Sequence, residues 1–383
     1  MPRETIPITG AVLTWARLRS GFPLEELKAT FRAIEEWEAE TSQPTYPQLE
    51  QLSDKLKIPV AVFFFPEPPK VPPIRESFRT LPDAEFDQMP PSVRYMLRKA
   101  SAMQMNLAEM NGGKNPSARL ATRDLDFAES TPVATMASTV RKYLNVTLDQ
   151  QILWPTAEEG LEQWRDALTR VGVFVFKDAF RSDEYSGFCL YDAEFPIIYV
   201  NNSMSKTRQI FTLFHELAHL IFHTSGIDTP SNDYVGRLPT DAKRIEVLAN
   251  KFAGLFLVPE QEFTAALAGV PATRESAAEL ARRFKVSRDV IYRKFLDRNL
   301  VSQDEYEAAV ATWTQQAQQA AVGQAGGGDY YNTQIAYLGR DYINLAFSQY
   351  YQNRIDEAKL ADYLNIAPKY VSTLEARLLR RRA

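Results

Sequence analysis

All three histidines of the 383-residue chain, His215, His219 and His223, lie within nine residues of one another. The segment that holds them, KTRQIFTLFHELAHLIFH, is apolar on most of its helical surface and predicts one long, buried helix. Imidazole nitrogens inside a buried helix need a polar or ionic partner. The chain must therefore fold around a polar centre that apolar residues enclose.

The segment from His215 to His219 has the spacing HExxH. Four residues turn an α-helix by about 400°, so the two imidazoles lie on one face, about 40° apart. Each can give a nitrogen to one Zn²⁺ at about 2.0–2.1 Å, and Mn²⁺ suits similar ligands. Glu216 points beside such an ion and can take a proton from a water molecule. The motif predicts His215 and His219 as metal ligands and Glu216 as the catalytic base.

A catalytic zinc site with two histidines needs a third protein ligand, and two residues are candidates. His223 lies one more turn along the helix, roughly 6 Å of rise from His219. Glu246 lies in a second predicted helix, AKRIEVLANKFAGLFLV, which Pro259 ends. We favour Glu246, because three ligands on one straight helix rarely reach a single ion. His223 would then complement the dipole at the helix C-terminus.

The motif HELAHLIFH followed by EVLANKFAGLFLVP resembles the ImmA/IrrE family of zincin-like metallopeptidases. The preceding runs GVFVF, GFCLY and PIIYVN resemble the strands of that family. The resemblance implies that His215, His219 and Glu246 hold Zn²⁺ and that Glu216 is the general base.

The same resemblance implies a peptide-binding strand and leaves the oxyanion stabiliser open. A strand at 187–191 or 196–201 would offer a free edge to an extended peptide by β-augmentation. Tyr234, Arg237 and Lys243 lie between the two metal-site helices and are candidates for stabilising an oxyanion.

We predict a mostly helical α+β fold, with a three-stranded sheet and the HExxH helix in a central zincin-like domain. Five prolines between 66 and 73 and the run AGGGD at 325–329 indicate connectors. The predicted segments are a degenerate helix-turn-helix-like domain at 1–69, a Pro-rich connector and helical segment at 70–130, the zincin-like domain at 131–270, a helical extension with a helix-turn-helix-like pattern at 271–324 and a C-terminal helical module at 325–383.

The N-terminal segment resembles the Cro/repressor-type helix-turn-helix, through ARLRSGFPLEEL and WEAETSQPTYPQLEQLSDKLKIPVAVFFFPEPP. Residues 1–69 contain seven Lys or Arg against ten Asp or Glu. Because DNA binding requires neutralisation of phosphates, this balance predicts a degenerate domain.

A second helix-turn-helix-like pattern is basic. The segment 277–298, AAELARRFKVSRDVIYRKFLDR, has the required layout, and 271–300 carries eight Lys or Arg against four Asp or Glu. Arg288, Arg293 and Lys294 are the candidates for DNA contact. The alternative is a solvated helical pair that supports the peptidase domain.

Composition narrows the class of protein. The single cysteine, Cys189, excludes an internal disulfide and a thiolate zinc cage, and fits a reducing cytoplasm. No apolar run reaches about 18 residues and no signal segment is evident, so we expect no membrane partner. We expect a cytoplasmic zinc-dependent metallopeptidase-type regulator that cleaves a partner protein such as a transcriptional repressor. The alternative is a DNA-binding regulator, or the antitoxin of a toxin–antitoxin pair, that acts by binding; either can form a homodimer.

Overall fold

The computed structural model describes residues 4–71, 86–128, 130–229, 238, 240–322 and 329–380. The chain divides into two compact units, Met1–Ser101 and Ala102–Ala383. The finer division into five segments stays a prediction. Among the described residues, no helix is both long enough and apolar enough to cross a bilayer.

The first unit is helical. Its elements are α1 (Gly10–Ser20), α2 (Leu24–Thr30), α3 (Ile34–Glu38), α4 (Tyr46–Leu56), a 3-10 helix (Val60–Phe64) and the first part of α5 (Pro91–Met110). Gly21 ends α1 in the left-handed region, at φ 77°, where glycine has no steric cost. The apolar residues from Leu24 to Trp37 have helical spacing and predict one helix, but the helix is interrupted there, because Phe31 leaves the helical region and buries its ring in the core.

Some acidic residues of the N-terminal domain make ion pairs and hydrogen bonds within the fold. α3 has only five residues, of which three are glutamates. Glu38 pairs with Arg17 at 2.6 Å, and Glu40 accepts a hydrogen bond from the backbone of Gly10 at 2.7 Å. That this helix-turn-helix-like domain is degenerate stays a prediction. The short, acidic α3 agrees with it.

The second unit combines helices with one small sheet. Its helices are α6 (Ala121–Asp124), α7 (Val133–Leu144), α8 (Leu148–Leu153), α9 (Ala157–Thr169), α10 (Lys206–Ile221), α11 (Thr240–Leu257), α12 (Glu260–Leu267), α13 (Arg274–Phe284), α14 (Arg288–Asp297), α15 (Gln303–Val322), α16 (Tyr330–Leu338), α17 (Arg340–Tyr351), α18 (Glu357–Tyr363), a 3-10 helix (Pro368–Tyr370) and α19 (Val371–Arg380). The predicted mostly helical α+β architecture is confirmed.

The sheet has one strand more than predicted. Its strands are β1 (Phe174–Asp178), β2 (Gly187–Leu190), β3 (Ile197–Asn201) and β4 (Ile227–Asp228), in the order β1-β3-β2-β4. β1 runs parallel to β3, and β2 is antiparallel to both β3 and β4. β2 and β3 are buried along their whole length, which agrees with their nearly continuous apolar sequences. β4 has two residues, too few to give a periodic signal.

The expectation of a free strand edge at 187–191 or 196–201 is wrong. β3 lies between β1 and β2, so both of its edges are paired. The outer edge of β2 is paired with β4 and, further along, Cys189 donates its backbone N–H to the carbonyl of Gly226 at 3.0 Å. The segment that follows α10 therefore pairs with the strand edge at which we expected a peptide to bind.

An aromatic cluster fixes α10 and α11 against each other and against α9. Phe214 of α10 stacks on Phe256 of α11 with ring centroids 4.0 Å apart, and Trp164 of α9 meets Phe214 edge-on at 4.8 Å. All three rings are essentially inaccessible to solvent. These large side chains lie on a different face of α10 from the histidines. Because they are closely packed, they hold the metal-site helices in a fixed relative position.

Two buried cations lie beneath α16. Arg165 of α9 donates to the carbonyls of Ala336 at 2.9 Å and Val175 at 3.0 Å. Lys177 of β1 pairs with Glu162 at 3.3 Å, and Glu162 also pairs with Arg165. Burial and the neighbouring guanidinium of Arg165 lower the pKa of Lys177 to about 8. The polar contacts join the C-terminal helices to the sheet.

Candidate metal centre

The central helix of the site is α10, and local sequence sets both of its ends. Ser205 caps its N-terminus by accepting the backbone N–H of Arg208. Its last turn closes at Phe222, and His223 then takes the left-handed conformation, at φ 56°. Between these ends, His215 and Glu216 have no exposed surface and His219 is 4% exposed. The histidine pair is therefore enclosed, as its apolar neighbours predict.

The fold brings Glu246 of α11 to the histidine pair. Nε2 of His215 lies 3.2 Å from Nε2 of His219, and each nitrogen meets one carboxylate oxygen of Glu246, at 3.2 and 3.3 Å. All three side chains are buried, and their ligand atoms lie within 4.8 Å of one another. This is the one such cluster of three or more His, Cys, Asp or Glu among the described residues. The cluster could hold a metal ion.

The spacing of these atoms fits a small tetrahedral ion. Ligands at about 2.0–2.1 Å from Zn²⁺ in a tetrahedron are separated by about 3.3–3.4 Å. The two imidazole nitrogens, 3.2 Å apart, are close to that edge length, and each lies at 3.2–3.3 Å from a different oxygen of the Glu246 carboxylate. Two imidazoles and one carboxylate are also the donor set of a catalytic zinc site with three protein ligands.

Hydrogen bonds on the far side of one ring direct its lone pair to the cluster. Thr224 Oγ1 donates its only proton to the carbonyl of His219 at 3.1 Å, and the same oxygen lies 3.3 Å from His219 Nδ1. The hydroxyl can therefore only accept from Nδ1, which places the ring proton there. Nε2 of His219 is left with a lone pair that faces His215 and Glu246, an arrangement that a cation satisfies.

The charges within the cluster shift its pKa values strongly. Burial by itself would lower the pKa of His215, but the nearby charges of Glu246 and Asp228 outweigh it and raise that pKa to about 10. Burial by itself would raise the pKa of Glu246, but the positive charge of His215 holds it well below its usual range. The site thus stabilises a buried carboxylate next to positive charge, which a bound cation would supply in the same place.

The carboxylate of Glu216 is fully buried and accepts no hydrogen bond from the part of the chain that the structure describes. Neither of its carboxylate oxygens has a hydrogen bond among the described residues, although its side chain has no exposed surface. The thiol of Cys189 lies beside it without the geometry of a hydrogen bond. Burial raises the pKa of the Glu216 carboxyl to about 7. A carboxyl group in this state can both take and give a proton near neutral pH.

His223, the rejected candidate for the third ligand, points elsewhere. Its Nε2 lies 2.9 Å from the carbonyl oxygen of Thr122, and its ring packs near Tyr191 with centroids 5.1 Å apart. The residue ends α10 and ties it to α6, away from the cluster of His215, His219 and Glu246.

Of the three candidates for an oxyanion stabiliser, only Lys243 lies in the part of the chain that the structure describes. Tyr234 and Arg237 lie outside the described residues. Lys243 is exposed on α11, one turn before Glu246. A role for any of the three stays a prediction.

The candidates for DNA contact have partners inside the protein. Lys294 is 9% exposed and pairs with Glu260 at 3.0 Å. The guanidinium of Arg288 lies over the ring of Trp313 at 4.9 Å, and Arg293 pairs with Asp297 at 3.0 Å. α14 thus uses these cations to pack against α12 and α15 or to stabilise itself. Their contact with DNA stays a prediction.

Several residues that support the cluster could not be predicted from the sequence. Thr224 and Gly226 follow α10 in a segment without periodicity, so nothing local indicates that they touch His219. Asp228 accepts hydrogen bonds from Arg208 and Thr212, each at 2.7 Å, and so fastens β4 to α10. Asn250 is the exception, because its position one turn after Glu246 places both side chains on the same face of α11 and indicates a contact between them.

One family match among the comparisons with known proteins covers the site. Residues 168–296, which contain the sheet, α10, α11 and the cluster, match the model of the IrrE N-terminal-like domain (Peptidase_M78). A solved structure of a Mycobacterium tuberculosis transcriptional regulator is 23% identical, with a TM-score of 0.25 over 42% of this chain. The chain spans half the length of that regulator. A comparison with curated proteins finds no match. Residues 168–296 thus form a domain of the IrrE N-terminal-like family, as the resemblance to ImmA/IrrE metallopeptidases implied.

Proposed function

We propose that the protein is a zinc-dependent metallopeptidase-type regulator that cleaves a partner regulatory protein, such as a transcriptional repressor. The membership of 168–296 in a peptidase-type family supports the general class. The observation that carries the proposal is the position of Glu216, which is buried, without a hydrogen-bond partner and next in sequence to a ligand of the three-residue cluster.

His215, His219 and Glu246 would hold the ion. Zinc suits this donor set best, and Mn²⁺ is the alternative because imidazole and carboxylate also bind it. When bound, the ion would lower the pKa of a water molecule and polarise a peptide carbonyl.

Glu216 supplies the proton transfers of this proposal. Its carboxylate takes the proton that water gives up as the oxygen attacks the peptide carbon. The carboxylic acid then gives this proton to the amine nitrogen as the C–N bond breaks. Its raised pKa, about 7, suits both steps, because an efficient general base and acid has a pKa near the working pH.

The substitution Glu216→Gln tests the proposal. It keeps the size of the side chain and removes the base, while both imidazoles stay in place. Zinc-loaded wild type and variant are added to a lysate of cells that carry the gene, and new protein N-termini are counted by mass spectrometry. We expect new N-termini with the wild type and a loss of about 100-fold or more in their rate of appearance with Glu216→Gln.

A matched control is Glu50→Gln, which changes an exposed carboxylate of the first unit and should leave cleavage unchanged. Zinc content, measured by elemental analysis, should be equal in all three proteins. If wild type and Glu216→Gln give the same N-termini, the peptidase proposal is wrong and the protein acts by binding a repressor, a toxin or DNA.

A further inference from the structure

We propose that Asn250 is a positioning residue of the metal centre, whose amide holds His215 with its oxygen and Glu246 with its nitrogen. This inference rests on the proposed metal site. It adds one residue that fixes two ligands on two different helices at once.

The geometry places the amide between both ligands. Asn250 follows Glu246 by four residues on α11, so the two side chains lie about 40° apart on one face. Its Oδ1 lies 3.2 Å from Nδ1 of His215, and its Nδ2 lies 3.5 Å from Oε1 of Glu246. The same Oε1 lies 3.2 Å from Nε2 of His215. The three side chains thus close a ring of polar contacts.

Each end of the amide has the right chemistry for its neighbour. An amide oxygen only accepts, so the contact at 3.2 Å places the ring proton of His215 on Nδ1. In the neutral ring that would bind a metal ion, Nε2 then carries a lone pair toward the cluster. The amide nitrogen only donates, which suits the negative carboxylate of Glu246. An apolar side chain of similar size supplies neither contact.

Thr224 provides the comparison on the other histidine. Its hydroxyl accepts from Nδ1 of His219, and its proton goes to the backbone carbonyl of the same residue. Thr224 therefore fixes one ligand within the α10 segment, whereas Asn250 connects α10 to α11. Removing the amide should disturb two ligands, and removing the hydroxyl should disturb one.

Zinc affinity, measured by competition with a chromogenic chelator, tests the inference. We expect Asn250→Leu to weaken Zn²⁺ binding by about 10–100-fold, the usual range for a partner of a ligating histidine. Thr224→Val should cause a smaller loss. Asn250→Asp keeps an acceptor for Nδ1–H but loses the donor to Glu246, so it should recover part of the lost affinity. Lys251→Ala, at an exposed position of the same helix, should bind zinc as the wild type does.

A second measurement follows the hydrogen bond itself. In the zinc-bound protein, the Nδ1–H proton of His215 should give a slowly exchanging NMR signal in the wild type and in Asn250→Asp. The signal should be lost or exchange faster in Asn250→Leu. A structural role alone would not make one conservative variant restore part of the affinity together with this signal.

The outcomes separate this inference from the proposed function. If the wild type and the folded Asn250→Leu variant bind zinc equally tightly, Asn250 does not position the ligands and the inference is wrong, while the metal site stands. If Asn250→Asp binds as weakly as Asn250→Leu, the acceptor role is equally excluded. If the wild type itself binds no metal, both the proposed function and the inference fail.

Discussion

Gly226 is the position at which the smallest substitution should damage the site most. It lies between α10 and β4, and a Cβ atom added there would lie 2.5 Å from Cδ2, 2.6 Å from Cγ and 2.9 Å from Nδ1 of His219. Its backbone does not adopt a positive φ, so alanine brings no backbone strain there. The whole effect of Gly226→Ala should therefore come from the overlap with the His219 ring.

Hydrogen bonds with Cys189 hold the backbone at Gly226 in place, so the overlap cannot be relieved without cost. Gly226 donates its backbone N–H to Sγ of Cys189 at 3.2 Å and accepts the backbone N–H of the same residue at 3.0 Å. Ordinary carbon contacts are about 3.5–4.0 Å, so the ring or the chain must move by about 1 Å. A metal–ligand distance tolerates about 0.2 Å. Overpacking of this kind costs about 1–3 kcal/mol of the free energy of unfolding.

Gly254→Ala is the matched control. Gly254 lies in α11, and a Cβ atom there meets nothing within 4 Å. Alanine should raise the free energy of unfolding by about 0.5–1 kcal/mol, because it favours the helix over the unfolded chain.

Urea unfolding and chelator competition decide the outcome. We expect Gly226→Ala to unfold more easily and to bind Zn²⁺ at least about 10-fold more weakly, whereas Gly254→Ala keeps wild-type affinity. Wild-type zinc affinity in Gly226→Ala would refute the argument that the overlap displaces His219.

Two further predictions concern the third ligand and a buried cation. Glu246→Gln should weaken zinc binding at least about 10-fold in a chelator titration, while His223→Ala should leave it nearly unchanged. His223→Ala should lower the free energy of unfolding by about 1 kcal/mol, because the contact with Thr122 is lost. The reverse pattern of affinities would make His223 the ligand. The pKa of Lys177 is lowered to about 8 from an ordinary value near 10.5, so the unfolded state binds more protons between these values and stability should rise with pH across that window. Lys177→Met should reduce the increase in the free energy of unfolding between pH 8 and pH 10 by about 1–3 kcal/mol, as measured by urea unfolding. An unchanged increase would show that the lowered pKa of Lys177 does not cause it.

The sequence predicted those parts of the fold that depend on local periodicity. The long apolar run predicted α10, and Pro259 correctly marked the end of α11 two residues after Leu257. The three longer strands were also predicted, because each is a short β-rich run between turns. The interruption of the helix at Phe31 was missed, since it depends on burial of one ring in the core and not on a helix-breaking residue.

In the candidate site, too, the residues set by local periodicity could be predicted and those set by tertiary contacts could not. The spacing of His215 and His219 follows from the helix period, and the structure brings both to Glu246 as expected. The residues that orient the ligands could not be predicted equally well. Thr224 and Gly226 touch His219 only because the chain turns back after α10 to pair with β2, and that return is a tertiary event without a local pattern.

Glu216 shows why a functional interpretation fits this arrangement better than a structural one. An apolar residue of similar size at this position would avoid the cost of burying a carboxyl group without a hydrogen bond. The aromatic cluster on the other face of α10 already fixes the helix, so packing does not require a carboxylate here. Local conflicts of this kind are expected where a chain sacrifices stability for chemistry. The proton-transfer role proposed for Glu216 gives this conflict a physical reason, because a buried carboxyl group with a pKa near 7 is what a general base at neutral pH requires.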